Sequence, residues 1–369
     1  MEFINKTVNK YAKCFLIPFL IILLFMFSTK SYGFGNVHVI KHIFSTTSLL
    51  LNEDTIISLG YWTFNNSSAV PVSLYSINTG NVTILSTILN IPRANSYTAK
   101  QISNKEILII ANMSNNATIY DISKHKYALP LKTNYTHFHP SIIPLDNGDV
   151  FIISSNRPEI YKSQDRKFIK LGLDITNENT QPSIYAYSQA VKLKDGNVLI
   201  IGSCPYNADV LKSTNIQNAE IFNPKTNKFE KTGQMERQRF WPTVTLMQDG
   251  RVLVTGGLVE GNGFGVNTAE IYNPKTGVFS RTGNLNQARY NHGAILLSNG
   301  KVLIANGIYA HSERQKYIRM AEVYNPISGK FSKLFLNSKK KRFETILQHL
   351  SQNKVLVSDV GYNIEIFKY

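Results

Sequence analysis

The chain has 369 residues, enough for one large repeat domain or two ordinary ones. It is 43% apolar and 17% charged, which excludes a globally disordered chain, and its 19 Tyr and 20 Phe favour strands. The net charge of +16 points to polyanions, acidic glycans or anionic lipid as partners, although dispersed lysine also serves plain solubility. No basic helix or RNA-binding motif accompanies the charge, so no nucleic-acid partner is expected.

Residues 1–33 read as targeting. Lys6, Lys10 and Lys13 form a positive stretch, Cys14 to Phe27 is apolar apart from Pro18, and Ser31 and Gly33 supply small residues for cleavage after Gly33. The apolar run would span about 21 Å as a helix, short of a ~30 Å hydrocarbon core. A signal peptide is therefore favoured over an uncleaved N-terminal membrane anchor. Either way, residues 34–369 are expected outside the cytoplasm: secreted, periplasmic or at the cell surface. Cys14 lies in this run, which leaves Cys204 as the one thiol of the body and excludes a disulfide framework or a Cys-x-x-Cys site.

The body repeats itself. Ala219-Glu-Ile-Phe-Asn-Pro-Lys-Thr-Asn-Lys-Phe-Glu-Lys-Thr-Gly233 recurs as Ala269-Glu-Ile-Tyr-Asn-Pro-Lys-Thr-Gly-Val-Phe-Ser-Arg-Thr-Gly283 and as Ala321-Glu-Val-Tyr-Asn-Pro-Ile-Ser-Gly-Lys-Phe331. After each comes an apolar strand, a turn such as Asp249-Gly250 or Asn299-Gly300, and a second strand such as Val252-Leu-Val-Thr255. Asp-Gly and Asn-Gly supply the positive φ of a tight hairpin, and Asn-Pro-x-Thr-Gly builds a second turn. Four short strands about 50 residues apart make one propeller blade. Degenerate copies place the aromatic strand at Tyr75, Tyr120, Tyr161, Phe222, Tyr272, Tyr324 and Phe367. The strand before it ends near Gly60, Ala111, Ser154, Gly202, Gly256, Asn306 and Ser358. Seven units follow. The last lacks its outermost strand, and Val37–His42 is expected to supply it, closing the ring and removing an exposed edge.

These residues resemble the kelch family, in particular the bacterial secreted branch that shares its fold with the galactose oxidase propeller. The resemblance covers residues 37–369 and is densest from 219 to 331. It implies an all-β, seven-bladed kelch-type β-propeller closed by the N-terminal strand. Six blades is the alternative, because the Gly-Gly doublets are missing before residue 170.

In such propellers the loops from one blade's outermost strand to the next blade's innermost strand gather at one channel mouth. Aligned on their hairpin turns, they put Arg93, His137, Tyr185, Arg239, Arg289 and Arg342 in register, with Phe138, Phe240, Tyr290 and Phe343 next in line. Guanidiniums there could form an anion-binding rim, since Arg presents a planar fork to carboxylates, and the aromatics could stack on a sugar or peptide group. The competing reading has these arginines bonding loop carbonyls between blades. Trp241 and His292 are added as mouth residues. His137 and His139 are expected to point to opposite sides of an extended segment, a poor metal pair.

The resemblance to galactose oxidase implies copper held by two Tyr and two His, one Tyr linked to a Cys. Here His292 falls near the histidine place, but Asn291 stands at the tyrosine place, Ser188 follows Tyr187, and Cys204 lies apart. No cofactor and no metal are therefore expected. A sialic-acid mutarotase, which some secreted kelch propellers resemble, would use Arg for the sugar carboxylate and Glu236, Glu344 or His292 as proton shuttle. The reading carried forward is a monomeric, non-catalytic module that binds a protein or an acidic glycan through its basic, aromatic loop face. A carbohydrate-active enzyme is the runner-up.

Overall fold

The computed structural model describes residues 33–34, 37–40, 47–59, 71–88, 97–154, 157–171, 188–202, 218–237, 239–258, 264–309, 317–334, 345–351, 354–358 and 364–369. The chain divides into two units, Met1–Tyr32 and Gly33–Tyr369. The first, with the targeting segment, lies outside the described residues. No helix among the described residues is long and apolar enough to cross a membrane.

The second unit is an all-β ring of seven small antiparallel sheets, a seven-bladed β-propeller. Blade five shows why the repeat folds this way. Its innermost strand Thr243–Leu246 turns at Asp249-Gly250 (Gly φ 89°) into Val252–Thr255, which is buried at every position. The third strand, Ala269–Asn273, turns through Asn-Pro-Lys-Thr-Gly277 (Gly φ 68°) into the outer strand Val278–Arg281. The second strand reads as continuous apolar sequence because neighbouring blades cover both its faces.

In blades two to six the tyrosine or phenylalanine of the third strand sits opposite an aromatic of the fourth. Tyr161–Phe168, Phe222–Phe229, Tyr272–Phe279 and Tyr324–Phe331 have ring centroids 5.0, 4.9, 4.8 and 4.7 Å apart. These cross-strand pairs are the unit of stability within a blade. Between blades, the Thr232 and Thr282 hydroxyls meet the Tyr272 and Tyr324 hydroxyls of the following blade at 2.7 Å. Apolar clusters fill every interface, for example Met247, Leu253 and Ile271 of blade five against Val302, Ile304 and Tyr324 of blade six.

The ring closes as the sequence predicts. Val37–Ile40 pairs with Ile364–Lys368, aligning Val37 with Phe367 and Ile40 with Ile364, and so supplies the last blade's missing outer strand. Gly33–Phe34 adds a short fifth strand beyond it. Across the closure, Ile56 and Tyr75 of the first blade pack with Leu350, Leu356 and Ile366 of the seventh.

Candidate functional site

At one end of the ring, the described entry loops of blades three, five and six meet the described ends of the connections between second and third strands. The register position four residues before the innermost strand holds His137, Arg239 and Arg289 in blades three, five and six. None of the three faces solvent; they are 0%, 1% and 0% exposed.

Each is clamped to a glutamate on the third strand of its own blade. Arg239 donates from Nη2 to Glu270 Oε1 at 2.8 Å, and Arg289 from Nη2 to Glu322 Oε1 at 2.7 Å. His137 Nε2 lies 2.5 Å from Glu159 Oε1. A carboxylate only accepts, so Nε2 carries that hydrogen, and Nδ1 lies 2.8 Å from the Ser154 hydroxyl. The second carboxylate oxygen, Oε2, receives the backbone N–H three residues before the clamped side chain: Asn134 at 2.9 Å, Glu236 at 2.9 Å and Asn286 at 2.6 Å. Asn134 and Asn286 add their side-chain amides, both at 2.8 Å.

The arginines reach further. Arg239 Nη1 donates to the carbonyls of Gly256 and Thr268, both at 3.0 Å, and Arg289 Nη1 to those of Asn306 at 2.8 Å and Met320 at 3.1 Å. Each guanidinium thus bonds loop carbonyls, as the competing reading has it, but within its own blade and not between blades. Burial pulls the Arg289 guanidinium down and Glu322 opposes the fall. Arg93, Tyr185 and Arg342, the remaining residues of this register, lie outside the described residues. Glu220 occupies the glutamate place in blade four, paired with Ile200 as Glu270 is with Val254. Burial raises its carboxyl, offset in part by Lys231.

Above the clamps the backbone makes a second repeated shape. Two residues after each of His137, Arg239 and Arg289, His139, Trp241 and Asn291 have φ of 45°, 50° and 51°, left-handed values that a bulky side chain adopts only when its surroundings enforce them. The segment is therefore not extended at His139, as expected from the alternation; the two histidines still part, because His137 turns into the blade and His139 to the mouth. The intervening aromatics are fixed too. Phe240 exchanges backbone bonds with Leu258 at 2.8 and 2.7 Å, and Tyr290 with Ile308 at 2.9 Å both ways.

These residues ring a cavity of about 540 Å³, within the range of small-molecule sites. Its mouth carries Phe138, His139, Trp241, Tyr290 and Asn291, and its wall includes Thr98, Lys100, Ser141, Gln189 and His292 from innermost strands and their approaches. Trp241 and Tyr290 pack with centroids 5.8 Å apart at 34°, and Phe138 and His139 edge to face at 4.4 Å. Burial pushes the Tyr290 hydroxyl up to about 12, with Tyr317 adding to it.

His292 is 6% exposed. Its Nε2 meets Thr255 Oγ1 at 2.9 Å, while Nδ1 has no partner among the described residues. Burial, and then the Arg289 charge, hold its pKa well below the usual imidazole value. Two glycines make its place. A Cβ on Gly256 would fall 2.3 Å from the Arg289 carbonyl oxygen and 2.8 Å from His292 Cε1, and one on Gly307 would fall 2.8 Å from His292 Cβ.

Of the sequence-predicted residues, the structure thus brings Trp241, Tyr290 and His292 around one cavity and sets His137, Arg239 and Arg289 behind its rim. The clamp glutamates Glu159, Glu270 and Glu322 went unread, although the Ala-Glu dipeptide repeats with the arginine. Glu236 is away from the cavity wall. It pairs with Arg281, whose hydrogen bond holds its carboxyl below the usual range.

No family model matches the sequence, and no curated protein matches it. Among solved structures the fold is similar to a fungal alcohol oxidase of the AA5 family in complex with copper. The TM-score is 0.70 over 92% of this chain and 76% of that one, at 13% identity. At this identity the likeness is one of fold. Among the described residues no group of three His, Cys, Asp or Glu could hold a metal, and the His292 Nε2 is engaged by Thr255. Cys204 and Tyr187 lie outside the described residues.

Proposed function

We propose that this chain is an exported, kelch-type propeller that binds a glycan at the channel mouth without transforming it. The observation that carries this is a sugar-sized cavity rimmed by the Trp241–Tyr290 pair, with hydroxyl and amide groups below it. Aromatic faces over a polar floor suit a pyranose, which offers apolar C–H faces and equatorial hydroxyls. The arginines of the entry register hold loops in this reading, so the aromatic mouth is the contact surface. Export rests on the N-terminal segment. A protein loop inserted into the same mouth is the alternative ligand.

A second reading, a sugar-active enzyme, draws support from His292. Its imidazole is neutral and its Nδ1 is unpartnered, as a base would need. A glycan array probed with the protein and with Trp241→Ala tests the binding reading: selective glycans should bind and be lost in the variant. Equal binding by both proteins contradicts it. Chemical change of a bound glycan, abolished by His292→Gln, would move the assignment to the enzyme.

A further inference from the structure

Lys100 is the one Lys, Arg, Asp or Glu among the described residues that wall the cavity. It sits at the fourth position of its innermost strand, Tyr97–Gln101, with Leu108 as cross-strand partner. That places it deeper along the channel than the mouth aromatics, which precede their own innermost strands. Val191 holds the same place in blade four, opposite Leu199, while the next residue, Lys192, gives its charge to Asp146 at 2.6 Å. No described residue does this for Lys100. Its surface is open to the lumen, yet protein walls crowd it, and this loss of bulk solvent lowers its pKa. An ammonium so placed is short of both water and counter-charge, and both shortages are relieved by an anion. Among the described entry-register residues, Arg239 and Arg289 offer no competing anion site, since each is already paired with a carboxylate.

We infer that the Lys100 ammonium, inside the channel, receives the carboxylate of an acidic sugar whose ring rests against the mouth aromatics. Resting on the glycan-binding reading above, this makes the ligand a uronic-acid-type sugar and puts its charge recognition at Lys100. Lysine acts here as a point charge and makes no planar fork, so it selects for one negative charge at a given depth more than for the orientation of the carboxylate.

The test uses the full chain and two probes, sodium glucuronate and glucose, titrated against tryptophan fluorescence at fixed ionic strength. Glucuronate should bind at least tenfold more tightly than glucose, and the ratio should fall to about one in Lys100→Gln, whose fold is checked by thermal melting. A second measurement needs no variant. Acylation of Lys100, followed by mass spectrometry, should be slowed by glucuronate and not by glucose. A ratio that survives in Lys100→Gln, or acylation indifferent to glucuronate, overturns the inference. If neither sugar moves the tryptophan signal, the aromatic-mouth reading fails. The acylation result then decides alone: protection by glucuronate upholds the channel site and its absence rejects it.

Discussion

Blades five and six close their entry loops with arginine, and blade three closes the same loop on the same glutamate position with histidine. What differs is the loop that must be held. In blades five and six, 13 or more residues separate the second strand from the third, running from Thr255 to Ala269 and from Ala305 to Ala321. In blade three the gap runs only from Ile153 to Glu159. Arg239 and Arg289 each take a carbonyl at both ends of the long loop besides the carboxylate. His137 reaches Ser154 and Glu159 and has nothing further to span. The five donors of a guanidinium are used where two loop ends must be tied to one strand, and an imidazole suffices where the loop is tight.

The comparison breaks most readily at the arginine. Arg289→Met leaves Glu322 buried beside orphaned carbonyls and should cost about 3–5 kcal/mol in urea unfolding. Arg289→Met with Glu322→Leu should recover part of that loss, because the uncompensated charge is gone. His137→Leu should cost less, about 1–3 kcal/mol, since no loop carbonyls lose a donor with it. A histidine variant as damaging as the arginine one would mean that the loop-span account is wrong. Gly256→Ala adds a methyl against the Arg289 carbonyl at a φ of 60° and should lower stability by about 1–3 kcal/mol, read as a fall in melting temperature.

A pH series sharpens the same boundary. The folded state holds the His292 pKa well below the usual value. Below about pH 6.5 the unfolded chain takes up a proton that the folded chain does not, so stability falls as pH falls, by up to about 1.4 kcal/mol per pH unit from this residue. Denaturant melts between pH 5 and 7 should show this slope reduced in His292→Gln. Trp241→Ala should have the smallest effect on stability, about 1 kcal/mol, because the indole is only partly buried at the mouth and ties no loop.

Much of this was legible beforehand, for stated reasons. Asp249-Gly250, Asn299-Gly300 and the Asn-Pro-Lys-Thr-Gly turns encode the hairpins locally, and the stretch Val37–His42 is a spare strand ahead of the first blade. The entry register was also legible, because Arg239 and Arg289 sit at fixed spacing from those turns. The direction of their side chains was not. A rim ligand and an internal clamp demand the same spacing, and the deciding glutamates lie 31 and 33 residues downstream on another strand. The left-handed backbone at His139, Trp241 and Asn291 was hidden for a related reason: tertiary bonds enforce it without a glycine to announce it. Lys100 was hidden in the degenerate first half, where the inward face of its strand has no close repeat to compare.

The central claim is a division of labour, with arginines holding the loops and aromatics meeting the ligand. Thermal stability and glycan binding measured side by side on Arg289→Met and Trp241→Ala test it most directly. The account predicts that Arg289→Met melts many degrees lower, while Trp241→Ala melts near the parent and loses the bound glycan. An Arg289→Met protein that melts like the parent but no longer binds would contradict it, and would return the guanidinium to the ligand.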